Sequence, residues 1–132
     1  MTHELSFGPL EQRDAVWIFR ISGHLDADFN DVRLRQKAEE IKNLDCKKLI
    51  VDIRDLHAIG SSGLSFLVEL YRSVDRTSGR FVIAGPPKRI RDVIEATRLS
   101  TIFTLADDLD AALLYCAHTD ADVKRAGSGN FR

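Results

Sequence analysis

An α/β fold is what this sequence predicts: a single domain with a mixed, mostly parallel sheet that begins with an N-terminal hairpin and is flanked by about four helices. Three observations carry that expectation. Leu49 to Ile53 is nearly all apolar and rich in β-branched residues, which a strand covered on both faces of a sheet requires. Soon after it, Leu64, Leu67, Val68, Tyr71 and Val74 recur at helical spacing, with Ser65, Glu69, Arg72 and Arg76 between them. The same strand-then-helix alternation continues downstream, and right-handed crossovers join such units into a parallel sheet.

In chain order, Leu5 to Phe7 and Ala15 to Ile21 read as strands, the second alternating Val16, Ile18 and Arg20 against Trp17, Phe19 and Ile21. Gly8-Pro9 and Gln12-Arg13-Asp14 mark the turn between them, so the two pair as an antiparallel hairpin. Asp26-Ala27-Asp28 offers caps for a helix to about Leu44, whose apolar positions Phe29, Leu34, Ala38 and Ile41 are sparse among charges. That charge run is a solvated face. The central strand, a short loop and the helix from Ser61 follow, and Gly79 provides a stop, with Arg72 and Arg76 suiting the negative end of the helix dipole.

Phe81 to Ala84 is the next buried strand. Pro86-Pro87 fits the first turn of a helix with Ile90, Val93, Ile94 and Thr97 inward and Lys88, Arg89 and Arg91 outside. Ile102 to Leu105 is a short last strand, and Asp107 and Asp108 cap a final helix with Leu109, Ala112, Leu113 and Cys116 inward. Residues 1–118 thus form the domain. Residues 119–132 show no hydrophobic period and read as a flexible tail.

Composition removes several classes of function. With 132 residues and 44% hydrophobic content there is material for one core. The 19 basic and 20 acidic residues are interspersed and leave a net charge of −1, so no field of one sign points to nucleic acid or a membrane surface. No stretch approaches the ~18 apolar residues of a membrane span, and Met1-Thr2-His3-Glu4 does not open a targeting segment, so a cytoplasmic protein without membrane insertion is expected. Cys46 and Cys116 belong to no metal or redox motif and read as small hydrophobes. His3, His24, His57 and His118 are scattered, and no metal or cofactor is expected.

Catalytic signatures fail on inspection. A nucleophile elbow around Ser62 would need glycine where Leu64 stands, and no Gly-Lys-Ser/Thr closes a phosphate loop. Asp55 and His57 lie near Ser61 in sequence, but neighbours in a strand-to-helix loop seldom converge on one reacting atom. No enzyme is expected.

The strand-to-helix junction has chemistry of another kind. The first turn of a helix has backbone N–H groups without intrahelical partners and the positive end of the dipole, so it accommodates an anion. Either Ser61 or Ser62 fits the cap position, and a phosphate esterified to one of them would meet the same N–H groups.

The whole stretch resembles the STAS domain, the fold of the bacterial anti-sigma factor antagonists, in which a strand ending in aspartate leads through a short hydrophobic loop to Asp-Ser-Ser-Gly-Leu at a helix start. Asp52, Leu56, Ile59, Ser61, Ser62, Gly63 and Leu64 match it without a gap. Gly79 to Pro86 resembles the family's next strand, and Arg91, Val93, Ile94, Thr97, Leu99 and Phe103 the elements after it. Upstream, Gly23-His24-Leu25-Asp26 is similar to the family's Gly-x-Leu-Asp. Together the matches cover most of residues 5 to 117. One position departs from the pattern: Gly60 stands where the family commonly has aspartate.

The resemblance implies an anti-sigma factor antagonist that binds an anti-sigma factor of the serine kinase type when unphosphorylated and is switched off by phosphorylation of Ser61, the first serine of the motif. It implies partner contacts from Asp26, Gly60, Ser61, Ser62, Gly63 and Leu64, and a homodimer is compatible with it. The alternative is a constitutive STAS scaffold subunit of a lipid-transport or signalling complex, in which the serine is only a helix cap.

Overall fold

The computed structural model describes residues 5–26 and 32–117 of the chain. Its sheet begins antiparallel and continues parallel. Ser6–Phe7 (β1) and Glu11–Arg13 (β2) both pair antiparallel with the long strand Val16–Leu25 (β3). β3 then runs parallel to Lys48–Asp52 (β4), β4 to Arg80–Ala84 (β6), and β6 to Thr104–Ala106 (β7). A fourth short strand, Leu56–Ile59 (β5), lies parallel to the far end of β3. The expected mixed, mostly parallel sheet is present, with seven strands in the order β1-β3-β4-β6-β7 and with β2 and β5 attached to β3.

Two elements differ from the expectation. The turn of the opening hairpin is Asp14-Ala15, with Asp14 at φ 53°, and Gln12 and Arg13 belong to a strand. All three residues of β2 are exposed, so that edge strand has no apolar alternation to announce it, and aspartate is among the residues that tolerate a left-handed turn. The stretch expected as a loop before Ser61 contains β5, whose Leu56 is fully buried while His57 is exposed.

Three helices cover one face of the sheet. Val32–Leu44 (α1), Ser61–Asp75 (α2) and Lys88–Ala96 (α3) contribute Leu34, Ile41, Phe66, Leu67, Leu70, Val74, Ile90 and Ile94 to a core that includes Phe19, Ile21, Leu49, Val51 and Ile83. The other face is closed by Leu109–Ala117 (α4), whose Ala112 and Cys116 sit on Val16, Ile18, Ile50, Val82 and Ala84. Each fully buried large side chain, such as Leu67 or Ile83, contributes about 2 kcal/mol to this burial. Burial also pushes the Cys46 and Cys116 thiols up to about 11, so at neutral pH both stay protonated and serve as small apolar side chains.

The inner stripe of α2 is Gly63, Phe66, Leu67, Leu70 and Val74, whereas the expected Leu64, Val68 and Tyr71 form a half-buried flank. Both sets fall within one wide apolar arc, and the sheet takes the side with Phe66 and Leu70. Gly79 is not itself the left-handed stop; Ser78 takes that conformation at φ 58°, while an added Cβ at Gly79 would lie 2.1 Å from the Lys47 carbonyl oxygen. Pro87 is the N-cap of α3 instead of its first helical residue, and Thr97 is exposed beyond the last turn. Of the residues expected to begin α1, Ala27, Asp28 and Phe29 lie outside the described residues, as does the 119–132 tail.

Among the described residues, Asp52 is the one buried charged side chain, 4% exposed at the carboxyl end of β4. Its Oδ2 accepts from Arg20 Nε at 3.3 Å on β3 and its Oδ1 from the Arg54 N–H at 3.2 Å. The motif's strand-ending aspartate therefore pins the chain as it leaves the sheet toward β5.

Candidate functional site

The junction between β5 and α2 is assembled against the end of β3. The parallel pairing of β5 with β3 ends at Leu25 and Ile59, and the Gly60 N–H then donates to the Leu25 carbonyl at 3.0 Å. One turn later Gly63 comes down on the same carbonyl. A Cβ at Gly63 would lie 2.1 Å from the Leu25 oxygen, a contact that only glycine permits, so the first turn of α2 is seated directly on the end of β3.

Gly60 is the N-cap of α2, in an extended conformation (φ −111°, ψ −174°), and as a glycine it has no side chain to hydrogen-bond into the helix start. The expectation that Ser61 or Ser62 caps the helix is therefore corrected. Both serines lie inside the first turn, because the preceding extended residue, which must be the cap, is the glycine. The first intrahelical bond runs from the Leu64 N–H to the Gly60 carbonyl at 2.9 Å, so the helix supplies no acceptor for the N–H groups of Ser61, Ser62 and Gly63. Ser61 is exposed, Ser62 and Leu64 are half-buried, and Gly63 is buried.

The fold brings Asp26, the residue that follows β3, to this same point. An added Cβ at Gly60 would lie 3.1 Å from the Asp26 Cβ, and the Asp26 side chain is 53% exposed. His24 Nδ1 stands 3.9 Å from Asp26 Oδ2, and the His24 and His57 rings meet edge to face at 6.5 Å. The ring contact of His57 is thus with His24. Asp55 contributes its backbone carbonyl to Gly23, and no group of metal-ligating side chains occurs among the described residues.

Ser61 stands on a ridge between two grooves. One, of about 330 Å³, lies between α1 and α2 and includes Leu34, Arg35, Ala38 and Phe66; the other, on the α3 side, includes Leu64, Val68, Arg72 and Leu99. Neither Arg35 nor Ala38 was marked by the sequence as part of a site, since on α1 they read as one charge and one small residue among many.

Comparison with known proteins now decides the family. The model of the STAS domain matches residues 9–112. This chain belongs to the STAS domain family. Among its relatives is the anti-sigma F factor antagonist of Paenibacillus polymyxa, 23% identical over 99 residues, a match covering 75% of this chain and 85% of that protein. Among solved STAS folds, an anti-sigma factor antagonist from Mycobacterium paratuberculosis superposes with a TM-score of 0.74 at 25% identity, over 89% of this chain and 98% of the other. The Bacillus cell fate determinant SpoIIAA in its phosphorylated form gives a TM-score of 0.59 at 18% identity, over 92% and 99%. No helix of this STAS domain is long and apolar enough among the described residues to cross a membrane.

Proposed function

We propose that this STAS domain is an anti-sigma factor antagonist of the cytoplasm, a binding module and not an enzyme, whose unphosphorylated form captures an anti-sigma factor of the serine kinase type. The observation that carries the reading is the exposure of Ser61 at a helix start whose cap residue is a glycine. Phosphorylation there adds about −1.5 to −2 charge beside N–H groups and a dipole that favour it, so the fold has no reason to change. A partner surface that presents acidic groups to the same ridge rejects the modified form. The contact surface comprises Asp26, Gly60, Ser61, Ser62 and Leu64, with buried Gly63 holding the turn in place from beneath.

Gly60 in place of the family's aspartate favours a second reading, the constitutive scaffold subunit, because it removes a charge beside Ser61. Asp26 weighs against it: its half-exposed carboxylate occupies the flank of Gly60, where an aspartate side chain would crowd it.

The test is mass spectrometry after incubation with the cognate kinase and ATP, with binding measured alongside. Phosphate is expected on Ser61, Ser61→Ala is expected to keep binding and lose regulation, and Ser61→Asp to weaken binding on the scale of a like-charge contact at an interface. Phosphate on Ser62 alone refutes the site. Phosphate on neither residue establishes the scaffold reading in its place.

A further inference from the structure

The two faces of the sheet are covered unequally. Three helices close one face, whereas α4 closes the other alone, and in its sequence Leu109-Asp110-Ala111-Ala112-Leu113-Leu114-Tyr115-Cys116-Ala117 Asp110 is the single charge. A helix that is apolar on all sides belongs where it is covered on all sides, yet only Ala112 and Cys116 of α4 are buried. Its outer stripe is Asp110, Leu113, Leu114 and Ala117, which share one helix face at three- and four-residue spacing. Leu114 is 59% exposed, more than any other large hydrophobic side chain among the described residues. Between this stripe and the β2–β3 turn runs a groove that includes Val16, Lys48 and Cys116. The face has an end-to-end polarity. Asp110 lies in the first turn of α4, and the last turn brings Cys116 onto Val16 at the start of β3 and within electrostatic reach of Lys48 and Arg80. No ion pair joins Asp110 or Lys48 to another described residue.

We propose that this face is a contact between two copies of the chain, whose α4 helices lie antiparallel about a two-fold axis between Leu113 and Leu114, with Leu114 of each seated against the groove of the other. Charge complementarity selects this occupant. Asp110 and Ala117 stand equally far from the midpoint of the stripe, about 5 Å at the helical rise of ~1.5 Å per residue, so the two-fold axis brings Asp110 of one copy over Ala117 of the other. That is the end at which Lys48 stands, and each copy thus offers the charge that the other needs. A parallel arrangement would set the two Asp110 carboxylates together. The face is small: nine residues span about 13 Å, too little for the roughly 800 Å² per partner of a standard interface, so the dissociation constant is on the order of 0.1 mM. Because α4 and α2 cover opposite faces of the sheet, the contact does not occupy Ser61 and does not rest on its phosphorylation.

The experiment is sedimentation equilibrium of the whole chain from about 10 µM to about 1 mM, with NMR amide spectra recorded over the same range. A monomer-dimer equilibrium is expected, and dilution is expected to move the amides of Asp110, Leu113, Leu114 and Ala117. Leu114→Asp changes an exposed position, so it is expected to keep the native dispersion and to stay monomeric throughout. Asp110→Lys and Lys48→Glu each set like charges opposite one another and are expected to weaken association about tenfold, while the double variant restores it to within about threefold of the parent. A monomer at about 1 mM, association unchanged by Leu114→Asp, or a double variant no better than the single ones overturns the proposal. So does a shift of the Leu114 amide at about 10 µM on deletion of residues 119–132, since the chain's own segment then covers this face. None of these outcomes depends on a kinase or an anti-sigma factor.

Discussion

Helices α2 and α4 both follow a strand of the same sheet, and both begin with N–H groups that the helix itself does not use. At α4 the problem is solved locally: Asp108 Oδ1 accepts the Ala111 N–H at 2.8 Å, and its carboxylate also suits the positive end of the dipole. At α2 the cap is a glycine with no side chain to offer, and a serine stands exposed beside it. The first turn of α2 is instead held from below, through Gly63 against Leu25. One helix start is completed by its own residues. The other has a glycine for its cap and is fixed in place by the sheet, so a modification at the exposed serine can come and go without refolding the domain.

The largest effect on this contrast is expected from Gly63→Ala. The added methyl must displace the backbone of Leu25, and overpacking of that kind costs about 3 kcal/mol, read as a fall in the urea midpoint without a change in slope. A cost under about 0.5 kcal/mol would show that α2 is not seated on β3 by this contact. Asp108→Ala is next: loss of the α4 cap costs about 1 kcal/mol, while the resonances around Ser61 stay where they are.

The third prediction asks whether α2 accepts the kind of cap that α4 has. Gly60→Asp supplies a capping carboxylate but crowds Asp26, so alone it changes stability by less than about 0.5 kcal/mol. Combined with Asp26→Asn, which keeps the Cβ contact but removes the like charge beside the new carboxylate, it is expected to be better tolerated, giving a coupling of about 0.7 kcal/mol in a double-mutant cycle. Zero coupling would mean that Asp26 does not guard position 60.

Much of this was legible in the sequence because the strongest signals are long and periodic. The apolar run of β4 and the helical pattern after it place Ser61 at a helix start whatever the details, and the Asp107-Asp108 pair before α4 announces a cap that the structure places on Asp108. What escaped is short or depends on contacts distant in sequence. β2 is three exposed residues on an edge, and β5 is four residues whose pairing with β3 cannot be read locally. The chemistry of either serine suits a cap, but the extended backbone at Gly60 makes the glycine the cap and puts both serines inside the first turn. Gly63 looked like a means of tight turning, but its reason is the Leu25 carbonyl, which only the folded sheet brings beneath it.

The smallest predicted effect separates the two helix starts most sharply. Ser61→Asp places a carboxylate in the glycine-capped first turn of α2, where the dipole favours negative charge, so it is expected to stabilise the domain by about 0.5 kcal/mol even as it mimics the inactive form. The sign with pH follows. The helix start lowers the folded-state pKa of the introduced carboxylate below its unfolded value of ~3.9, so the gain is fully present above that pH and is lost as the pH falls through the lower folded value. Urea midpoints of variant and parent should differ at pH 7, converge toward pH 3, and converge also in about 1 M salt, where exposed charges are screened. A variant less stable than the parent at pH 7 would show that the start of α2 is closed after all, by a partner for its N–H groups that the added charge disturbs.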